Sequence, residues 1–290
     1  MSETGKARGT GGPRGGAAGR GGAGRLTGVG VGPGDPDLIT VKAVRALRAA
    51  DQVFVPVGET GDLGYAERVV LAHLDAGRVE RLVFALGDDP AARTRAWDAA
   101  GATVAGAVRG GARVAFATIG DPNLYSTFSY LAATVRELVP AVEVETVPGI
   151  TAMQDLAARS GTVLAEGTQS LVLLPFTAGS GWPPGRPEGG AEGRAEGGAE
   201  GGADAEARAA LVDRLRAALD AHDTVVVYKG GRQLPEVRAA LLASGRGGEA
   251  VFGARLGLDG ESIGPLPDGP APYLSTVLVP RPRGPRGGSL

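Results

Sequence analysis

Gly28-Val-Gly-Val-Gly-Pro-Gly-Asp-Pro36 runs an apolar strand into a Gly-Asp-Pro turn, and Ile119-Gly-Asp-Pro-Asn-Leu-Tyr-Ser-Thr127 repeats the device further along. Each turn is read as opening a helix, with Asp at the cap and Pro in the first turn. Glycine in such a turn lets backbone N–H and C=O groups come close to a small ligand, because no Cβ stands between them. Around the first turn, residues 26–31 read as a strand. Residues 36–50 carry Leu38, Val41, Val44 and Leu47 at helical spacing, and residues 52–57 read as a second strand. This is a βαβ unit. Open α/β sheets bind ligands at the carboxyl ends of their strands, so both turns are expected at a pocket.

The pocket is not a dinucleotide site of the usual kind. In the pattern G-x-G-x-x-G, counting from Gly28 puts Pro33 at the third glycine, and counting from Gly30 puts Asp35 there. No G-x-x-x-x-G-K-[ST] loop is present either, so the ligand is not expected to be held by its phosphates.

Beyond the first unit, helices are predicted at 65–74, 91–109 and 126–138, alternating with strands at 79–85, 113–118 and 142–147. The first half therefore reads as a parallel α/β domain over 25–147. Val147-Pro-Gly-Ile-Thr-Ala152 then forms a third strand-turn-helix junction. The following elements are more mixed: helices at 151–160, 206–222 and 234–244, and strands at 170–175, 224–228, 250–256 and 273–279. They predict a second α/β domain over 148–280, richer in antiparallel pairing, with the ligand cleft between the two. Residues 1–24 hold Arg-Gly-Gly repeats and no aliphatic side chain larger than alanine, apart from the initial Met, so they are read as a disordered tail. Residues 177–207, rich in Glu-Gly-Gly-Ala repeats, read as an inserted low-complexity loop, and 281–290 as a flexible end.

Composition narrows the chemistry. With 290 residues, of which 43% are hydrophobic, the chain can bury one or two ordinary cores. There is no cysteine, and His73 and His222 are the only histidines. Disulfides and thiolate or multi-histidine zinc sites are therefore excluded and no metal is expected, and a Ser-His-Asp triad is disfavoured because His73 falls in a helix and His222 at a helix end. No apolar run reaches the roughly 18 residues of a membrane helix, and the start of the chain lacks a secretory apolar stretch, so a cytoplasmic protein is expected. A formal net charge of −2 makes nucleic acid an unexpected partner. Anionic ligands must then be met by local Arg and Lys.

Capping alone accounts for any single Asp-Pro pair, including Gly87-Asp-Asp-Pro90. It does not account for Pro33-Gly34 before one turn or for Tyr125-Ser126-Thr127 after the other, which place hydroxyls and open backbone at strand ends. Tyr228-Lys-Gly-Gly-Arg232 ends another apolar strand and, by itself, reads as a loop with two solvated cations.

In order and in combination, the three junctions resemble those of the tetrapyrrole (corrin/porphyrin) methyltransferases, and the similarity runs from Leu26 to about Val279. Thr118-Ile-Gly-Asp-Pro-Asn-Leu-Tyr-Ser-Thr-Phe-Ser129, with the Phe84 to Trp97 stretch and Phe54-Val-Pro56, is most like the branch that methylates C20 of precorrin-2. The uroporphyrinogen-III branch typically carries Asp and Arg where this chain has Pro56 and Thr127, which argues against that double methylation. The resemblance implies a two-domain fold, a homodimer and S-adenosylmethionine as cofactor, used to methylate precorrin-2 or its cobalt form (cobalt-factor II) in cobalamin synthesis. It implies cofactor contacts from Pro33, Ile119, Gly120, Asp121, Leu124, Ser126, Thr127, Thr151 and Ala152. The tetrapyrrole would lie above Pro33-Gly34-Asp35, its carboxylates met by Arg93, Arg95, Lys229, Arg232 and Arg255. Asp35 and Tyr125 are the acid–base candidates for the proton that must leave the ring. Lys229 stands where the family often has Met. Two other readings remain at this point: a methyltransferase of the same fold acting on another tetrapyrrole position or on RNA, and a noncatalytic nucleotide-binding module.

Overall fold

The computed structural model describes residues 24–58, 62–84, 90–176 and 200–282. The expectations for 1–23, for Gly87-Asp-Asp89, for 177–199 and for 283–290 fall outside these. The central strand, β1 (Arg25–Gly30), is apolar on both faces because both are covered. Leu26 packs into one core with Phe54, Phe116, Phe128 and Leu131, while Val29 and Val31 pack into another with Leu47, Val53 and Val69. Gly28 leaves room for the Phe128 ring, which a Cβ there would approach to 2.5 Å.

Around β1 lie β2 (Gln52–Val57), β3 (Val79–Val83), β4 (Arg113–Thr118) and β5 (Glu143–Val147), in the order β3-β2-β4-β1-β5. All four pairings are parallel, as βαβ connections require. Helices α1 (Val41–Ala49) and α2 (Tyr65–Leu71) cover one face; α3 (Pro90–Arg109) and α4 (Phe128–Leu138) cover the other. The neighbours β1 and β4 thus send their chains to opposite faces, through α1 and α4. That reversal opens a crevice at their carboxyl ends, where open sheets take ligands.

The second sheet has the order β6-β7-β10-β8-β9. Its strands are β6 (Leu171–Pro175), β7 (Thr224–Tyr228), β8 (Val251–Ala254), β9 (Ser262–Gly264) and β10 (Ser275–Val279). Only β6 and β7 run parallel; the other three pairings are antiparallel. The helix α5 (Ala152–Ser160) covers one face through Leu156 and Ala157. The helices α6 (Glu200–Ala221) and α7 (Leu234–Ala243) cover the other through Leu215, Leu219, Leu234 and Val237.

Three local expectations are corrected. The first Gly-Asp-Pro turn leads into a single 3₁₀ turn, Pro36–Leu38, where the Asp35 carboxylate accepts from the Asp37 N–H. The helix proper starts afresh at Val41, capped by the Thr40 hydroxyl. At the second turn Asp121 likewise accepts from the N–H two residues on, and Ser126 Oγ takes the Phe128 N–H at the start of α4. The predicted helix at 206–222 instead begins at Glu200 and passes through Gly201 and Gly202. Each glycine costs about 1 kcal/mol in a helix interior, but a long segment anchored by packing propagates through such a cost.

Candidate active site

The three junctions meet at one point. A Cβ on Gly30 would fall 2.6 Å from the Gly120 carbonyl oxygen and 2.6 Å from the Gly149 nitrogen, and one on Gly149 would fall 2.1 Å from that same oxygen. Each glycine is needed because backbone from another junction occupies the space its side chain would take. The Gly120 N–H donates to the Gly32 carbonyl at 2.7 Å, and the Asp121 carboxylate accepts from the Gly149 N–H at 3.0 Å. Asp121 thus ties the second junction to the third.

Next to this platform lies a cavity of about 460 Å³, within the roughly 300–1,000 Å³ of small-molecule sites. Ten of the residues expected at a site from the sequence line it: Pro33, Ile119, Gly120, Asp121, Leu124, Tyr125, Ser126, Thr127, Thr151 and Ala152. Lys229 lines it too. Asp35, Gly34, Arg93, Arg95, Arg232 and Arg255 are not part of its wall. Further walls come from Pro56, Tyr65, Phe84, Leu256 and Tyr273. Pro56 and Phe84 lie in stretches the sequence already singled out; Leu256 and Tyr273 come from the second half, and the packing of the two sheets brings them to the cavity.

Hydroxyl positions are fixed by neighbours. Thr118 Oγ1 and Ser126 Oγ are 3.0 Å apart, and Thr151 Oγ1 donates to the Gln154 side-chain oxygen at 3.0 Å. The Tyr228 hydroxyl accepts from the Met153 N–H at 3.0 Å, which joins β7 to the start of α5. Burial raises the pKa of both Tyr228 and Tyr125, so both are phenols at neutral pH. Tyr125 adopts a left-handed backbone with φ 50°, and so do Lys229 at 60° and Arg255 at 51°. These are the only non-glycine residues of that kind among the described residues, and they follow three different strands at the cavity or beside it. Such conformations cost of order 1–3 kcal/mol and gather at functional sites.

Outside the cavity wall, the first junction is pressed against the second half of the chain. A Cβ on Gly34 would meet the Leu256 carbonyl at 2.2 Å, and one on Gly257 would meet the Asp35 nitrogen at 2.1 Å. Glu261 holds this loop: its carboxylate receives the Arg159 guanidinium through two bonds of 2.5 Å and the Gly257 N–H at 2.6 Å. Arg93 and Arg255 each have a buried Nε without a hydrogen-bond partner, a donor left over by the protein itself. Arg95 and Arg232 are exposed. Among the described residues no cluster of three or more His, Asp or Glu could hold a metal ion.

Residues 25–267 match the family described as Tetrapyrrole (Corrin/Porphyrin) Methylases. The chain belongs to this family. This methylase is 34% identical to a precorrin-2 C(20)-methyltransferase of a Sinorhizobium species, over 89% of this chain and 95% of that one. It is 29% identical to the cobalt-precorrin-2 C(20)-methyltransferase of Salmonella typhimurium, over 88% and 96%. Among solved structures, its fold is similar to that of the methyltransferase CobJ, with a TM-score of 0.58 at 21% identity over 92% of this chain and 98% of that one. It is also similar to that of a Thermus thermophilus uroporphyrin-III C-methyl transferase complexed with S-adenyl homocysteine, with a TM-score of 0.55 at 22% identity over 88% and 96%. The two-domain α/β architecture expected of the methylase is therefore the one found.

Proposed function

We propose that this methylase transfers the methyl group of S-adenosylmethionine to C20 of precorrin-2, or of its cobalt form, in cobalamin synthesis. The observation that carries the reading is the meeting of Gly30, Gly120 and Gly149 beside a cavity walled by apolar side chains and hydroxyls. A Cβ at Gly30 or Gly149 would push into backbone, Gly120 has a left-handed φ of 68°, and no phosphate loop borders the space, which suits a sulfonium nucleoside. The names of the relatives at 34% and 29% identity support the ring position.

In this reading Ile119, Gly120 and Leu124 hold the cofactor largely through backbone groups, with Ser126, Thr127 and Thr151 presenting hydroxyls. Pro33 and Ala152 close the floor. Asp121 acts by locking the platform through the Gly149 N–H. When bound, S-adenosylmethionine supplies an electrophilic methyl group. The walls exclude water and hold the reacting carbons in contact, which is worth roughly 7–11 kcal/mol in well-oriented cases. Arg93 and Arg255 stand as candidates for the carboxylates of the tetrapyrrole from outside the cavity wall, because guanidinium forks grip carboxylates in pairs. Arg95 and Arg232 add exposed positive charge nearer solvent. Both reactants are polar and water-soluble, so the reading extends to a cytoplasmic enzyme. Family resemblance extends it to a homodimer, which analytical ultracentrifugation checks.

The test is incubation with labelled methyl donor and metal-free or cobalt-loaded precorrin-2, followed by mass and NMR regiochemistry. One new methyl on C20 is expected. Methyl on another ring position, transfer to RNA alone, or cofactor binding without transfer would each overturn the reading.

A further inference from the structure

Of the five tyrosines in this chain, four line the cavity: Tyr65, Tyr125, Tyr228 and Tyr273. Two of these are engaged with the protein. The Tyr125 and Tyr228 rings stand 5.7 Å apart, the Tyr125 hydroxyl donates to the Leu173 carbonyl, and the Tyr228 hydroxyl accepts from the Met153 N–H. Tyr65 and Tyr273 are different: among the described residues neither hydroxyl has a hydrogen-bond partner and neither ring contacts another aromatic ring. They are 46% and 49% exposed although both are on the cavity wall, so they stand at its mouth. Leu63, also exposed and on the wall, joins them in an apolar rim.

Both rings stand on backbone that is held in place. Tyr65 opens α2, and the Glu67 carboxylate fixes the turn before it, accepting from the Gly64 N–H at 3.1 Å and from the Arg81 guanidinium at 2.7 Å. Tyr273 lies in the turn before β10, where the Ala271 N–H donates to the Gly231 carbonyl at 2.7 Å and the Leu274 carbonyl accepts from the Arg255 N–H at 2.9 Å. One tyrosine thus belongs to each half of the chain. Exposed phenol rings on fixed backbone lose little freedom when a flat apolar surface covers them. The cavity behind them, about 460 Å³, has room for one small molecule such as a nucleoside. A tetrapyrrole is far larger. With the nucleoside inside, its rings must be received at the mouth. Beside Gly34 the way is closed, since a Cβ there would already meet the Leu256 carbonyl at 2.2 Å.

This inference rests on the C20 reading above and extends it to how the substrate is seated. We propose that Tyr65 and Tyr273 are specificity-determining residues: the apolar faces of the tetrapyrrole rings stack on their phenol rings, one from each half, and the seated macrocycle closes the mouth over the nucleoside. The carboxylate arms stay at the edge of the ring system, toward water. One consequence is an order of events. The nucleoside enters first, and its thioether product leaves only after the tetrapyrrole has lifted off the rim.

The probe is the cobalt form of precorrin-2, titrated without oxygen into protein saturated with S-adenosylhomocysteine and followed by its visible absorption. Tyr65→Ala and Tyr273→Ala should each weaken its binding about tenfold, the reach of one aromatic contact. In turnover, KM should rise by that factor while kcat stays within about threefold. Tyr65→Phe and Tyr273→Phe should bind the probe within about twofold of wild type, because the ring and not the hydroxyl makes the contact. S-adenosylhomocysteine alone should bind all four variants within about threefold of wild type, with melting points controlling for folding. In stopped flow, bound tetrapyrrole should slow the release of S-adenosylhomocysteine about tenfold or more in wild type, and far less when both tyrosines are alanine. Alanine variants that bind the probe as wild type does, phenylalanine variants as weak as the alanine ones, or nucleoside release indifferent to the tetrapyrrole would overturn the assignment and leave the function standing. Wild-type protein that neither binds nor methylates the tetrapyrrole would overturn both.

Discussion

Two glycines of this chain make opposite demands. Gly149 sits where backbone from two other junctions already fills the space, with the Gly120 oxygen 2.1 Å and the Gly30 Cα 2.8 Å from where a Cβ would be. No flexible side chain can yield there, so Gly149→Ala must shift backbone. Such overpacking costs typically 1–3 kcal/mol. Gly106 is an exposed interior position of α3 with nothing within 4 Å of a Cβ, so Gly106→Ala should stabilise by about 1 kcal/mol through helix propensity alone. Urea unfolding should therefore move in opposite directions for the two variants. Only Gly149→Ala should also weaken S-adenosylhomocysteine binding. Equal shifts of the same sign would show that the junctions are not in contact as described.

At the level of elements, a single carboxylate joins the start of β6 to the start of β7. Asp223 accepts from the Ser170 N–H at 2.9 Å and from its hydroxyl at 3.1 Å, and it meets Arg281 at 2.6 Å. The Ser170 backbone bond, more than the others, lowers the Asp223 pKa from 3.8 to about 2. A depressed carboxylate pKa stabilises the fold fully above the unfolded value, and that stability is lost as pH falls through the folded one. Between pH 4 and pH 2, wild-type protein should therefore lose stability more steeply than Asp223→Asn, whose curve should be flatter in denaturant melts across that range. The strands on either side of this clasp were among the most legible elements. Thr224–Tyr228 and Arg113–Thr118 were readable to the residue because glycine, proline or charged residues bound continuous apolar runs. Helix starts were less legible. Asp35 caps only a single 3₁₀ turn and Asp121 closes a turn that opens no helix; Thr40 caps α1, and the Phe128 N–H at the start of α4 goes to Ser126. The three-residue β9 has too few positions for an alternation to show, and the early start of α6 ran against its glycines. Within the site, the glycine junctions announced themselves. Leu256 and Tyr273 did not, because they reach the cavity only through the packing of one sheet against the other.

The molecule as a whole depends on how the two sheets are held against each other, since both contribute to one cavity. The loop after β8 is one contact, beside that of Tyr125 with Leu173 and Tyr228: Leu256 is on the wall, Gly257 presses on Asp35, and Glu261 fixes the loop to α5 through Arg159. The Arg159 bonds, ahead of other causes, hold the Glu261 pKa below the usual carboxylate range, so the pair is charged at neutral pH. Glu261→Gln keeps the shape and the acceptor for the Gly257 N–H but removes the charge facing Arg159. Asp155 lies 3.8 Å from the same guanidinium and can take part of its charge. The loss should therefore be that of a partly exposed ion pair, up to about 1 kcal/mol, or roughly fivefold in an equilibrium constant. Because the pair lies within the second half and braces the loop that presses on Asp35, that loss should fall on binding. Kd for S-adenosylhomocysteine should rise about fivefold by calorimetry, with far-UV circular dichroism unchanged. Wild-type protein in 100-fold excess of ligand over Kd should gain about 2.7 kcal/mol of stability, and Glu261→Gln at the same ligand concentration should gain about 1 kcal/mol less. A variant that binds as tightly as wild type would show that the first junction is held in place by its own backbone contacts with Leu256 and Gly257, without help from the charge pair behind them.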